Sequence, residues 1–222
     1  MAGKLIAFEG VEGCGKTTQI QKLQLWLQST IPDKNIVVTR EPGDTELGLG
    51  LRQLLLSLKN EKPIYPTAEL LLYAADRAQH VQEVLRPQLA GEVLGTEDSA
   101  PRASRETIIL CDRYTDSTIA YQGYGRGLPR SIIDQLNFFA TDGLESNLTI
   151  WLDVDVEISL PRTRLRGMSD RMESADLAFH RRVQDGYNQL AQAFPHRIKR
   201  VDASLDEQAV QAQIRSVLQQ HL

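Results

Sequence analysis

The chain has 222 residues, 41% of them apolar and 24% charged, an ordinary globular composition and length enough for one sizeable α/β core without a second domain. A formal charge of −4 excludes the basic footprint of a nucleic-acid binder, so any anionic ligand has to be held by local basic clusters. The N-terminus enters a strand-like run at once instead of a signal peptide, and no apolar stretch approaches the roughly 18 residues that cross a bilayer, which points to the cytoplasm and to no membrane partner.

In chain order, short β-rich runs recur at Leu5 to Glu9, Asn35 to Arg40, Thr107 to Cys111, Leu148 to Asp153 and Ile198 to Val201. Longer segments with helical spacing separate them, and that alternation predicts a parallel five-stranded sheet with helices on both faces. Ile20, Leu23 and Leu27 share one helical face after the first run. A second face carries Leu70, Ala74, Ala78, Val81 and Leu85, and a third carries Ile132, Ile133, Leu136, Phe139 and Ala140 behind Pro129. The stretch Gly91 to Glu106, rich in Gly, Ser, Ala and charge, reads as a surface loop or frayed helix end, with no functional account. Cys14 and Cys111 follow no metal-ligand spacing and are expected to pack as reduced intracellular thiols.

The first strand runs into GVEGCGKT, Gly10 to Thr17, where Gly10, Gly15, Lys16 and Thr17 satisfy the pattern GxxxxGK[ST]. The strand LIAFE before it and the amphipathic segment Lys16 to Gln28 after it supply the context that this phosphate-binding loop requires. Glycines let backbone N–H groups curl around phosphate oxygens, and the helix start adds partial positive charge. Lys16 is placed to reach the β and γ phosphates, and Thr17 to offer its hydroxyl to Mg2+. The other reading, a glycine-rich turn without a ligand, leaves the lysine and hydroxyl unexplained.

Two further strand ends carry charge. TREPGDT places Arg40 at the end of the second strand, and CDRYTDSTIAYQGYGRG places Asp112 and Arg113 at the end of the third. An acid there can hold Mg2+, and a guanidinium can fork onto a phosphate. Each fragment alone also reads as a helix cap or a surface ion pair; together, beside a phosphate loop, they predict a second phosphate site.

These residues together resemble the thymidylate kinase family, through FEGVEGCGKTTQ, TREPG, YAADRAQHV, DRYTDSTIAYQGYGRG and the late RTRLRGMSDR, in that order over nearly the whole chain. The resemblance implies a P-loop kinase fold in one domain, residues 1–222, with a small lid at about 162–172. It implies transfer of the γ-phosphoryl group of Mg-ATP to dTMP, for dTTP biosynthesis, in a homodimer. By the same resemblance Gly10, Val11, Glu12, Gly13, Cys14, Gly15, Lys16, Thr17 and Thr18 form the ATP loop, and Thr17 and Asp112 hold Mg2+. Arg40 and Arg113 grip the dTMP phosphate, Tyr73 stacks on thymine, Arg77 bonds a base carbonyl, Thr118 and Gln122 read the other base edge, and Glu12 meets the 3′-hydroxyl. Some family members carry a catalytic arginine where this chain has Gly13, so here the lid, with Arg162, Arg164, Arg166 and Arg171, is expected to supply it. Arg166, before Gly167, is the first choice, with Lys16, Arg113 and Asp112 as the other catalytic groups and Arg162 over adenine; Pro161, inside what should be a helix, is expected to kink the chain just before these arginines.

Two rivals remain at this point. A nucleoside kinase would need a general base and would leave Arg40 with Arg113 without purpose, whereas a monophosphate acceptor is already an oxyanion. A nucleotide switch would need a residue to orient water, and the sequence offers an acceptor pocket instead.

Overall fold

The computed structural model describes residues 3–57, 62–91, 105–164 and 170–221. Its centre is a five-stranded sheet in the order β2-β3-β1-β4-β5, every pairing parallel. The strands are β1 (Lys4–Glu9), β2 (Asn35–Arg40), β3 (Thr107–Asp112), β4 (Leu148–Asp153) and β5 (Ile198–Asp202), each within one residue of its expected bounds. Parallel strands demand crossover connections, and the helices that make them cover both faces.

Strand alternation shows this directly. Ile6 and Phe8 of β1, with Ile108 and Leu110 of β3, face one apolar cluster, while Leu5, Ala7, Ile109 and Cys111 face another. The first, larger cluster receives Ile20, Leu23 and Leu27 of α1 (Lys16–Thr30), as their spacing predicts. The second receives Val81, Leu85 and Leu89, from a rod that begins as α3 (Pro66–His80), widens through a π turn (Val81–Leu85) and ends as α4 (Arg86–Ala90). α2 (Glu46–Leu56) precedes that rod and packs against α3.

After β3 the chain makes a single turn of helix, α5 (Thr115–Thr118), and a second π-helical stretch, Ile119–Gly125. α6 (Arg130–Thr141), α7 (Val156–Arg164), α8 (Leu177–Ala193) and α9 (Glu207–Gln219) complete the layers. Pro161 lies inside α7, as its place in the sequence predicts. Of the stretch Gly91 to Glu106, residues 92–104 lie outside the described residues; Gly91 ends α4 in a left-handed cap, and Glu106 pairs with Lys34.

Two expected apolar faces differ from the structure. On α3 the fully buried positions are Glu69, Leu70, Asp76, Arg77 and His80, while Ala74 and Ala78 are only half-buried. Charge is turned inward there because the helix borders a polar pocket. On α6, Ile133 and Ala140 are buried, but Ile132, Phe138 and Phe139 are 49%, 71% and 83% exposed. They lie on the outside of the chain, where period alone places no limit on them.

One buried ion pair ties the β3 turn to the far side of the sheet. Asp116, almost wholly buried, accepts from Arg197 Nη1 and Nη2 at 2.6 and 2.8 Å and from Thr149 Oγ1 at 3.0 Å. Removing one partner of a buried pair strands the other without compensation. Arg197→Met is therefore expected to lower unfolding stability by about 3–5 kcal/mol, read by urea denaturation.

Candidate active site

The phosphate loop leaves the middle strand and turns back over its carboxyl end. Gly13 has a φ of 74°, and a β-carbon there would lie 2.2 Å from Ser159 O of α7. Gly15, with a φ of 94°, is the residue before α1 and has no other group within 4 Å of its missing β-carbon, so the mouth of the loop stays open above the helix N-terminus. Val11 and Cys14 point into the core instead of the cleft. Lys16 is buried, its Nζ donating to Gly10 O at 3.1 Å and Val11 O at 3.3 Å, and Cys14 Sγ lies at 3.5 Å.

Beside the loop, Thr17 Oγ1 stands 3.4 Å from Asp112 Oδ2. A hydroxyl and a carboxylate are hard oxygen donors, and among the described residues no three or more His, Cys, Asp or Glu side chains gather into a cage. That set fits an ion such as Mg2+, which keeps waters and takes most of its remaining ligands from substrate phosphates.

Arg113 is the most heavily held side chain in the site. Its backbone has a φ of 72°, uncommon for a residue with a side chain, and is fixed by Arg113 N donating to Phe8 O at 2.9 Å. The bend returns its guanidinium over β1. Nη2 donates to Glu12 Oε1 at 2.6 Å and Tyr121 OH at 3.1 Å, while Nη1 donates to Gly10 O at 3.0 Å and Ser117 Oγ at 3.2 Å. Burial opposes ionisation of Glu12, but Arg113 and Lys16 outweigh it and hold its carboxyl below the usual carboxylate range.

Glu9, the last residue of β1, fixes this turn from beneath. Its Oε1 accepts from Tyr114 N at 2.8 Å and Ser117 N at 3.2 Å; its Oε2 accepts from Ser117 Oγ at 2.5 Å and Tyr187 OH at 2.8 Å. Burial, and the charge of Asp116 nearby, push its carboxyl up to about 7.

Two hollows open at these strand ends. A cleft of ≈ 740 Å³ runs over the phosphate loop and includes Gly15, Lys16, Thr17, Thr18, Arg40 and Asp112. A deeper pocket of ≈ 90 Å³ lies behind it, walled by Tyr73, Arg77, Thr118, Tyr121, Gln122 and Met172. Glu12, Glu41, Arg52, Arg113 and Asp170 border both. The structure thus brings together Glu12, Tyr73, Arg77, Arg113, Thr118 and Gln122 in one pocket, and sets the exposed Arg40 in the neighbouring cleft.

Comparison with known proteins identifies the family. A family model described as thymidylate kinase matches residues 8–214. The chain belongs to the thymidylate kinase family. It is 57% identical to a thymidylate kinase of Nostoc punctiforme and 54% identical to one of a Nostoc sp., in each case over 100% of this chain and 98% of the relative. A crystal structure of the thymidylate kinase from Ehrlichia chaffeensis superposes with a TM-score of 0.73 at 33% identity, covering 97% of this chain and 98% of the other. As a thymidylate kinase the chain binds ATP and dTMP and transfers the γ-phosphoryl group from the first to the second, giving ADP and dTDP.

Some groups around this thymidylate kinase site were not singled out in the sequence. Arg52 of α2 borders both hollows and donates to Pro42 O at 2.8 Å. Tyr121 sits inside a motif already quoted, one residue from Gln122. Arg171, grouped by sequence with the lid arginines, instead pairs with Glu69 and donates to Leu55 O at 2.7 Å. Arg162 lies half-buried in α7, and Arg166 and Gly167 lie outside the described residues.

A carboxyl with a raised folded pKa binds its proton more tightly in the native state, so its contribution falls as pH rises. For Glu9 the window runs from about 4.5 to about 7. Glu9→Gln is expected to flatten the loss of stability across that window by about 2–3 kcal/mol relative to the parent chain, measured by urea denaturation at a series of pH values.

Proposed function

We propose that the cleft over the phosphate loop receives ATP and the deeper pocket receives dTMP, so that donor and acceptor phosphates meet at the wall formed by Glu12, Arg52 and Arg113. The observation that carries this reading is the shared border: the residues common to both hollows include two guanidinium groups within reach of either side. Loop N–H groups and the start of α1 cradle the triphosphate. Lys16 leaves the loop carbonyls for the β and γ phosphates. Thr17 and Asp112 hold Mg2+, which when bound neutralises charge on the phosphate oxygens.

Arg113, with Arg40 and Arg52, holds the dTMP phosphate. That phosphate is already an oxyanion, so one of its oxygens attacks the γ-phosphorus in line without a general base while the bond from that phosphorus to the β,γ-bridging oxygen breaks and ADP leaves; the protein supplies position and positive charge. Tyr73 stacks on thymine, Arg77 donates to a base carbonyl, Thr118 and Gln122 read the other edge, and ionised Glu12 accepts from the sugar 3′-hydroxyl. Arg166 supplies the arginine at the transferring group from the lid, and Arg162 covers adenine. An arginine at Gly13 is sterically opposed by the contact with Ser159 O, which supports a lid origin.

The whole chain acts as one P-loop kinase domain in the cytoplasm, a setting supported by Cys14 and Cys111 being free, buried thiols. No described helix is long and apolar enough to cross a membrane. Two chains associate through the outer faces of α2, α3 and α6, which pack in series and expose Leu47, Leu54, Leu71, Ile132, Phe138 and Phe139.

Two measurements test these roles. Arg113→Ala is expected to raise the KM for dTMP by about tenfold or more, whereas Arg166→Ala lowers kcat by about a thousandfold with the KM for dTMP nearly unchanged, both read as ADP release. Unchanged dTMP affinity in the Arg113 variant would remove it from the acceptor site. Separately, Phe139→Asp is expected to shift the chain from dimer to monomer in sedimentation velocity; a dimer that survives this charge places the contact elsewhere.

A further inference from the structure

A buried carboxylate, Glu69, lies behind the wall of the deeper pocket. Glu69, Tyr73 and Arg77 stand four apart on α3 and so share a face. Glu69 has no exposed surface, yet it receives the Gln122 side-chain amide, Nε2 donating to Oε1 at 2.8 Å. Arg126 adds Nε to Oε1 and Nη2 to Oε2, both at 3.2 Å, and Arg171 Nη2 lies 2.6 Å from Oε2 as an ion pair without hydrogen-bond alignment.

We propose that Glu69 is the positioning residue that sets the polarity of base recognition: by accepting the Gln122 N–H it turns the amide oxygen toward the base, so that the pocket accepts the N3–H of thymine and refuses cytosine. This rests on the assignment of Gln122 as a base reader.

The chemistry leaves little choice of orientation. A carboxylate can only accept, so the amide edge facing it must be the NH2 group. Burial opposes the charge on Glu69, but Arg126 and Gln122, with Arg171 nearby, outweigh it and keep the group ionised. A flipped amide would set its oxygen against that buried carboxylate. Among the described residues the Gln122 side chain makes only this bond, so Oε1 is left to accept from a ligand.

Arg77 fixes the complementary donor. Nε donates to Glu41 at 2.8 Å, Nη1 to Thr118 at 2.7 Å and to Asn137 at 2.8 Å, and Nη2 to Tyr114 O at 3.0 Å. Among the described residues one Nη2 hydrogen has no acceptor, and Arg77 lines the pocket. A fixed donor beside a fixed acceptor matches the carbonyl and N3–H of thymine or uracil. Cytosine offers an amino group and an N3 lone pair, wrong at both positions, and a site with committed polar groups rejects such a ligand strongly.

The test compares kcat/KM for dTMP, dUMP and dCMP in the parent chain, Glu69→Gln and Gln122→Ala. A carboxamide at position 69 both donates and accepts, which frees Gln122 to turn over. Glu69→Gln is expected to lower the preference for dTMP over dCMP by about tenfold or more, mainly through a gain with dCMP, while the dTMP to dUMP ratio stays constant. Equal losses with all three acceptors would mean a purely structural role and would overturn the proposal. If Gln122→Ala shifts the dTMP to dCMP ratio and Glu69→Gln does not, only the role of Glu69 falls. If Gln122→Ala leaves the ratio unmoved, Gln122 is not a base reader and both readings fall. Should Glu69→Gln fail to fold, Glu69→Asp retains the charge for Arg126 and Arg171 but withdraws it from the amide, and the same loss of preference is expected; an unchanged ratio there overturns the proposal.

Discussion

In a chain whose net charge is −4, the guanidinium of Arg113 is the group on which the geometry around the phosphate loop depends. It touches the phosphate loop through Gly10 O and Glu12, its own turn through Ser117, the π-helical stretch through Tyr121, and α8 through Tyr187 at 3.3 Å. Burial works against its charge, and Glu12 with the surrounding tyrosines more than restores it. An unbent backbone at this residue would carry the side chain off the end of β1. The left-handed turn is kept by bonds from both sides, to Phe8 O and from Tyr114 N to Glu9. Local strain of this kind persists only where the surroundings over-determine it.

The second layer of constraint comes from α3, whose inward face is polar. His80 Nδ1 lies 2.8 Å from Glu41 and Nε2 2.5 Å from Thr39 Oγ1, while Asp76 accepts from Gly43 N at 3.0 Å. These contacts fasten the turn after β2, which carries Arg40 and Pro42, to a helix that also carries Tyr73 and Arg77. Burial and Glu41 push the Asp76 carboxyl up to about 6, whereas Arg77 and His80 overcome burial to hold Glu41 below its ordinary range. Desolvating so many charges is costly unless each has partners, and a network with every member satisfied defines one geometry where an apolar interface would allow several.

Much of the fold was legible because its signals are local. Alternating apolar strands, a GKT turn and charges at strand ends lie within short windows, and all five strands emerged within a residue of their expected bounds. The motif residues Glu12, Tyr73, Arg77, Arg113, Thr118 and Gln122 also met in one pocket. What stayed hidden depends on partners distant in the chain. Glu9 had looked like the end of a strand and Glu69 was not singled out, since nothing near either of them announces Tyr187 or Arg171. Phe139 was placed in the core because its period fits, yet its helix turns that residue outward. The π turns at Val81 and Ile119 leave no mark in apolar spacing, although the second of them carries both Tyr121 and Gln122.

The contact between Gly13 and α7 reaches beyond this one chain. With only 2.2 Å between a β-carbon at position 13 and the Ser159 carbonyl, even alanine cannot enter unless α7 withdraws. The loop and α7 therefore constrain each other's substitutions as well as each other's place. A side chain at position 13 needs more than one codon change, because the Ser159 carbonyl of α7 has to move with it. Glycine and helix thus form a coupled pair, in which the smallest residue on one side is the condition for the backbone path on the other.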